Sequence, residues 1–190
     1  MPENAASHII AVCWAIFIIV WLVNAVRTKR TLEKQSLASA LAHRIPVAIG
    51  WWLLLVPKWS GPLNWRILPD TDFLKLSGAM ICICGLIFTL WARYTLAGNW
   101  SSNVTFKRDH ELIRTGPYRF VRHPIYTGLL VMWLGTIVFV GKLYGACSLL
   151  LVAIGFWIKL RQEERLLLRH FPATYPIYRR EVKALVPFII

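Results

Sequence analysis

The feature that most constrains this chain is a series of apolar runs too long for the core of a small water-soluble domain. Ile9–Val26 holds 18 residues in which Asn24 is the one strongly polar member. At about 1.5 Å per helical residue it reaches roughly 27 Å, enough to cross a thin bilayer. Arg27, Lys29 and Arg30 close it, and no Lys or Arg precedes it, so it reads as a span rather than a cleaved signal. A second run, Ile45–Trp59, is short alone, but the helix-compatible stretch from Ser36 to His43 extends it. A third run covers Phe73–Tyr94. The fourth and fifth, Pro124–Val140 and Leu143–Leu160, are separated by Gly141-Lys142, which predicts a tight antiparallel hairpin.

Composition agrees. Hydrophobic residues make up 57% of the 190 and charged ones 16%, against roughly 45–50% and about 25% in a soluble domain. The formal net charge of +13 would alone suggest nucleic acid. In a membrane chain it signals basic loops facing an anionic leaflet, so the bilayer and not nucleic acid is the expected partner. With five crossings, 18 of the 22 Lys and Arg fall on one side, within Arg27–Arg44, Arg93–Arg122 and Lys159–Lys183. Lys58, Arg66, Lys75 and Lys142 fall on the other. The positive-inside bias therefore predicts an all-α bundle of five transmembrane helices, amino terminus outside and carboxyl terminus in the cytoplasm. Residues 1–97 would carry the first three spans. Residues 98–190 would carry a polar loop, the last two spans and a cytoplasmic tail, all within one catalytic unit.

Two polar segments share the cytoplasmic side: the loop Gly98–Arg122 and the tail from Arg161. The hairpin of the fourth and fifth spans must bring them together at the membrane surface. His110-Glu111 begins a zinc-protease-like pattern, but Arg114 stands where the second histidine would be, and no metal site is expected. Cys13, Cys82, Cys84 and Cys147 all lie in apolar runs and read as inert thiols. Gly116-Pro117 marks a turn, Pro124 suits the first turn of the fourth span, and His123 would be its cap. The compact unit His123-Pro124-x-Tyr126-x-Gly128 exceeds what an interfacial aromatic belt requires. In the tail, Glu163 and Glu164 follow the fifth span closely, which conflicts with the helix dipole unless the helix continues or a cation pairs with them. A carboxylate there suits a positively charged ligand, and an arginine a negative one.

These elements, with Gly116-Pro117-Tyr118 before them and Glu163-Glu164-x-x-Leu167-x-x-x-Phe171 after, resemble the isoprenylcysteine carboxyl methyltransferase family. The tail pattern Phe171, Tyr175, Tyr178 and Pro187 is similar as well. The resemblance covers about residues 100–190. It implies an integral membrane methyltransferase that moves a methyl group from S-adenosylmethionine, leaving S-adenosylhomocysteine, to the carboxylate of a prenylated cysteine or similar lipophilic acceptor. The resemblance implies that His110, Glu111, Leu112 and Ile113 contact the cofactor. It implies that Tyr118, His123, Pro124 and Tyr126 line the same pocket, completed by Glu163 or Glu164, with Asn103 a further polar contact. It associates Arg161 with the methyl acceptor. The membrane would be the cytoplasmic one in a prokaryote and the endoplasmic reticulum in a eukaryote, with the site facing the cytoplasm. Alternative readings are a phospholipid or other lipid methyltransferase, an NADPH-dependent sterol-type reductase, and a structural membrane protein with a basic rim.

Overall fold

The computed structural model describes residues 2–25, 31–34, 36–56, 59–96, 105–107 and 112–187. The architecture is helical. Helix α1 is Pro2–Ala25, α2 Leu37–Leu55, α3 Asp72–Leu96, α4 Pro124–Val140, α5 Leu143–His170 and α6 Tyr175–Glu181. Four stretches are long and apolar enough to cross a membrane: Ala5–Asn24, Leu37–Leu55, Asp72–Leu96 and Leu143–His170. Helix α4, at 17 residues, is apolar but shorter. Ser36 caps α2 by accepting from the Ser39 amide, so the second helix begins with the helix-compatible stretch that was expected to extend it. Helix α5 runs ten residues past Leu160, the expected end of the fifth span, and carries Glu163 and Glu164 on a continuing helix.

Glycine sets the central contact. An added Cβ on Gly85 would stand 2.5 Å from the Met132 nitrogen, and one on Gly135 would stand 2.5 Å from the Cys82 nitrogen. Helices α3 and α4 therefore pack backbone to backbone, as small residues allow within a membrane. Helix α2 lies against α5 in the same way: a Cβ on Gly155 would meet the His43 carbonyl at 2.8 Å. Three side-chain polar groups in this layer are satisfied internally, as hydrocarbon surroundings demand. Trp133 donates to Ser148 (2.8 Å), Ser148 donates to the Gly50 carbonyl (2.7 Å), and Trp14 donates to Thr136 (3.1 Å).

The connections sort to two ends. At one, strand β1 (Thr31–Lys34), after α1, pairs antiparallel with β2 (Thr105–Lys107), after α3. The period-3.6 reading had no place for this ribbon. At the other, Arg66 of the α2–α3 connection bridges to Lys142, and Ile67 donates to the Gly141 carbonyl at 2.8 Å. Gly141 takes φ +65°, the left-handed cap that ends α4 and lets α5 start two residues later.

Candidate functional site

The site is assembled by the segment entering α4. Leu112 and Ile113, both half-buried, lead into it, and Ile113 packs against the buried core. Gly116, at φ +57°, turns the chain into a short 3-10 turn, Gly116–Arg119, with Pro117 buried inside it. This brings Tyr118 beneath the end of α3, its hydroxyl 3.5 Å from the Ala92 carbonyl. Burial, together with the negative Glu163, pushes the Tyr118 phenol well above its ordinary pKa. The chain then runs beside the tail: Val121 pairs with Lys183, the Arg122 amide donates to the Lys183 carbonyl (2.8 Å) and the His123 amide to the Ala184 carbonyl (2.9 Å). Thr127 donates to the Leu185 carbonyl at 2.7 Å. The tail is a strap across the first turn of α4.

His123 occupies the cap position of α4 and Pro124, fully buried, its first turn, as the sequence predicts. The His123 side chain makes no capping hydrogen bond. It turns instead toward α5: Nδ1 stands 3.6 Å from Glu163 Oε2, and Nε2 stands 3.5 Å from Glu164 Oε1. Among the described residues, buried Nε2 has no hydrogen-bond partner. Tyr126 lies between two rings, with centroids 5.6 Å from His123 and 5.1 Å from Phe156, both stacked. Its hydroxyl donates to Glu163 Oε1 at 2.6 Å.

The two adjacent glutamates have different surroundings because neighbours on a helix point about 100° apart. Glu163 faces Tyr126 and keeps 24% of its side chain accessible. Glu164, 4% accessible, is clamped by Arg122, whose Nε and Nη2 lie 2.9 and 2.5 Å from its Oε1. The same guanidinium donates to the carbonyls of Arg179 (3.2 Å) and Val182 at the end of α6. Arg122, expected at the headgroups, is instead a buried tie between α4, α5 and α6. Tyr178 of α6 donates to the Tyr118 carbonyl at 2.5 Å, and Arg114 pairs with Glu181.

The structure thus brings together Tyr118, His123, Pro124, Tyr126, Glu163 and Glu164. Asn103, His110 and Glu111 lie outside the described residues. Arg161 is exposed, its guanidinium 5.1 Å over the ring of Trp157. A further cation beside the cluster is Lys159, one turn before Glu163, with Nζ 5.4 Å from the centre of the Tyr126 ring. Sequence reasoning passed over Lys159. A lysine four residues before a glutamate on one helix was the available signal.

A carboxylate held by a phenol, a second carboxylate behind it, and a wall of stacked rings form a donor set suited to a cation. Residues 78–169 match the family described as Isoprenylcysteine carboxyl methyltransferase (ICMT). A protein-S-isoprenylcysteine O-methyltransferase of Saccharomyces cerevisiae is 30% identical over 125 residues, covering 63% of this chain and 51% of that protein. The Homo sapiens enzyme of the same name is 25% identical over 174 residues, 89% of this chain and 60% of that protein. The matched part spans about half to three fifths of these relatives. A solved eukaryotic intramembrane Ras methyltransferase, ICMT, superposes with a TM-score of 0.63 at 22% identity, covering 100% of this chain and 68% of that one. That likeness establishes a shared intramembrane fold.

Proposed function

Because residues 78–169 match the isoprenylcysteine carboxyl methyltransferase family, we propose that the chain methylates the terminal carboxylate of a prenylated cysteine or a similar lipophilic acid, using S-adenosylmethionine. The carrying observation is the cluster of Tyr126, His123 and Glu163 between α4 and α5, inside the matched region. The cofactor fits this donor set. Glu163 and the faces of Tyr126 and His123 would lie near its positive charge, and the Tyr118 turn with Leu112 and Ile113 would line the pocket. Asn103, His110 and Glu111 remain proposed contacts on the family resemblance. When bound, S-adenosylmethionine supplies a methyl group on a positively charged sulfur.

The protein's own part is alignment and exclusion of water. Tyr126 holds the Glu163 carboxylate in one orientation. Phe156 and the buried start of α4 keep the cluster dry, and a desolvated acceptor carboxylate is the better nucleophile. That acceptor needs a fixed cation. The position of Lys159 over Tyr126 supports that role for it. Arg161, the sequence-based choice, lies with Trp157 and would have to act from the lipid-exposed side of α5.

Five crossings, with the amino terminus outside and the tail cytoplasmic, complete the reading. The β1–β2 ribbon and the tail strap gather the basic segments, and the Arg66–Lys142 bridge gathers two of the remaining cations. The site would then open to the cytosol for the cofactor and to the bilayer for the prenyl chain.

The test uses purified protein in lipid nanodiscs, with S-adenosylmethionine binding by calorimetry and methyl transfer to an S-farnesyl cysteine derivative. Glu163→Gln should weaken cofactor binding. Lys159→Met should spare that binding and lower turnover about 10–100-fold, as loss of a charged hydrogen bond does. Arg161→Lys spares turnover if Lys159 carries the role, and lowers it if Arg161 does. Methylation confined to an amine headgroup would replace this reading with a phospholipid methyltransferase.

A further inference from the structure

We propose that the lipid-exposed face of α5 binds an anionic phospholipid, with its acyl chain along Leu150, Ile154 and Trp157 and its phosphate between Arg161 and Arg165. These residues recur every three or four positions, so they form one stripe on the helix. The apolar half is open: Leu150 is 63% exposed, Ile154 44% and Trp157 41%. The stripe continues into Arg161, Arg165 and Arg169, all exposed. It therefore changes from hydrocarbon to positive charge at one point, between Trp157 and Arg161.

Three observations identify the occupant. Trp157 sits where an indole marks a membrane interface, and the Arg161 guanidinium lies over its ring, which fixes the depth of the first positive charge. Arg161 and Arg165 are about 6 Å apart along the axis, close to the roughly 5–7 Å headgroup layer of one leaflet. The nearby α5 carboxylates are directed elsewhere, Glu163 to Tyr126 and Glu164 to Arg122. At Arg161 and Arg165 the face thus offers exposed positive charge and guanidinium forks suited to phosphate. A zwitterionic lipid brings its own cation and would gain less. An acidic peptide would use the arginines but leave the apolar half unexplained. The inference does not depend on the methyl-transfer reading.

The experiment places the full chain in nanodiscs of unlabelled phosphatidylcholine doped with either brominated phosphatidylglycerol or brominated phosphatidylcholine. Quenching of Trp157 is isolated by subtracting the signal of Trp157→Phe. We expect phosphatidylglycerol to quench at roughly 30-fold lower mole fraction, about fivefold for each of two arginines. Arg161→Gln with Arg165→Gln should bring the two curves most of the way together, whereas Arg165→Lys should retain most of the preference. Helical content by circular dichroism confirms that each variant is folded. Equal quenching by both lipids in the unmodified protein overturns the proposal. So does a preference that survives the double variant, or displacement of the phosphatidylglycerol signal by an acidic peptide but not by unlabelled phosphatidylglycerol.

Discussion

At the scale of single residues, Arg122 carries more of the site's geometry than any other side chain described here. Its guanidinium meets the Glu164 carboxylate and the last carbonyls of α6, with 8% and 4% of the paired side chains accessible. Breaking such a pair by removing one partner leaves a buried charge alone, which costs about 3–5 kcal/mol. Arg122→Ala should therefore destabilise the protein by that order in a thermal melt, whereas Glu164→Gln added to it should recover part of the loss. Additive destabilisation by the two substitutions would show that the pair is not the source. This role could not be read from the sequence, because an arginine before a span looks like an ordinary headgroup residue. His123, Pro124 and Tyr126 were legible as a unit because a capped helix start has local rules. The separation of Glu163 from Glu164 was not, since it depends on which neighbour each meets across α4 and α6.

At the scale of elements, the α3–α4 contact makes the sharpest demand. Gly85→Ala or Gly135→Ala should force the helices apart, costing about 1–3 kcal/mol by overpacking. Gly145→Ala should be tolerated in the same melt, because its Cβ would meet its nearest neighbours at an ordinary 3.4–3.7 Å. The tail strap makes a second demand. Burial raises the Tyr178 phenol above its ordinary pKa, although Arg122 and Arg114 pull the other way. A raised value means the folded state keeps a proton that the unfolded chain gives up. The stability this represents is whole below the ordinary tyrosine value of about 10 and is lost as pH rises beyond it. Proteolysis of the tail should therefore quicken above that pH in the native protein, and Tyr178→Phe should flatten the dependence. Helix boundaries were legible where hydropathy changed. The extension of α5 through Glu163 and Glu164 was legible only as one of two alternatives, the other being a cationic partner, and both hold because Arg122 pairs with Glu164 on a continuing helix. The short ribbon escaped: its pairing joins strands more than seventy residues apart, and no local pattern announces that.

At the scale of the whole molecule, the basic segments and the helix order have to agree on one topology. Ser36 opens α2 and Arg119 precedes α4, and β1 and β2 join the connections that contain them. Ser60 and Thr71 flank the α2–α3 connection, which is pinned to the α4–α5 turn through Arg66 and Lys142. If α2 and the shorter α4 both cross, these two groups lie on opposite faces of the bilayer. Charge gives the direction: the face of Ser36 and Arg119 also holds the arginines of α6, so it should be cytoplasmic. Helix α4 is the weak step by length. Its 17 residues reach about 26 Å, and its close glycine contact with α3 lets it cross beside a longer neighbour rather than alone. Ser36, Arg119, Arg180, Ser60 and Thr71 are all exposed, so single cysteines there, in a chain whose native cysteines are replaced, should react with an impermeant maleimide in oriented vesicles. Ser36→Cys, Arg119→Cys and Arg180→Cys should label from the cytosolic face alone, and Ser60→Cys and Thr71→Cys from the opposite face alone. Labelling of Ser36→Cys and Ser60→Cys from the same side would mean that α2 does not cross. That result would divide the basic segments between the two faces and remove the electrostatic basis for the assigned orientation.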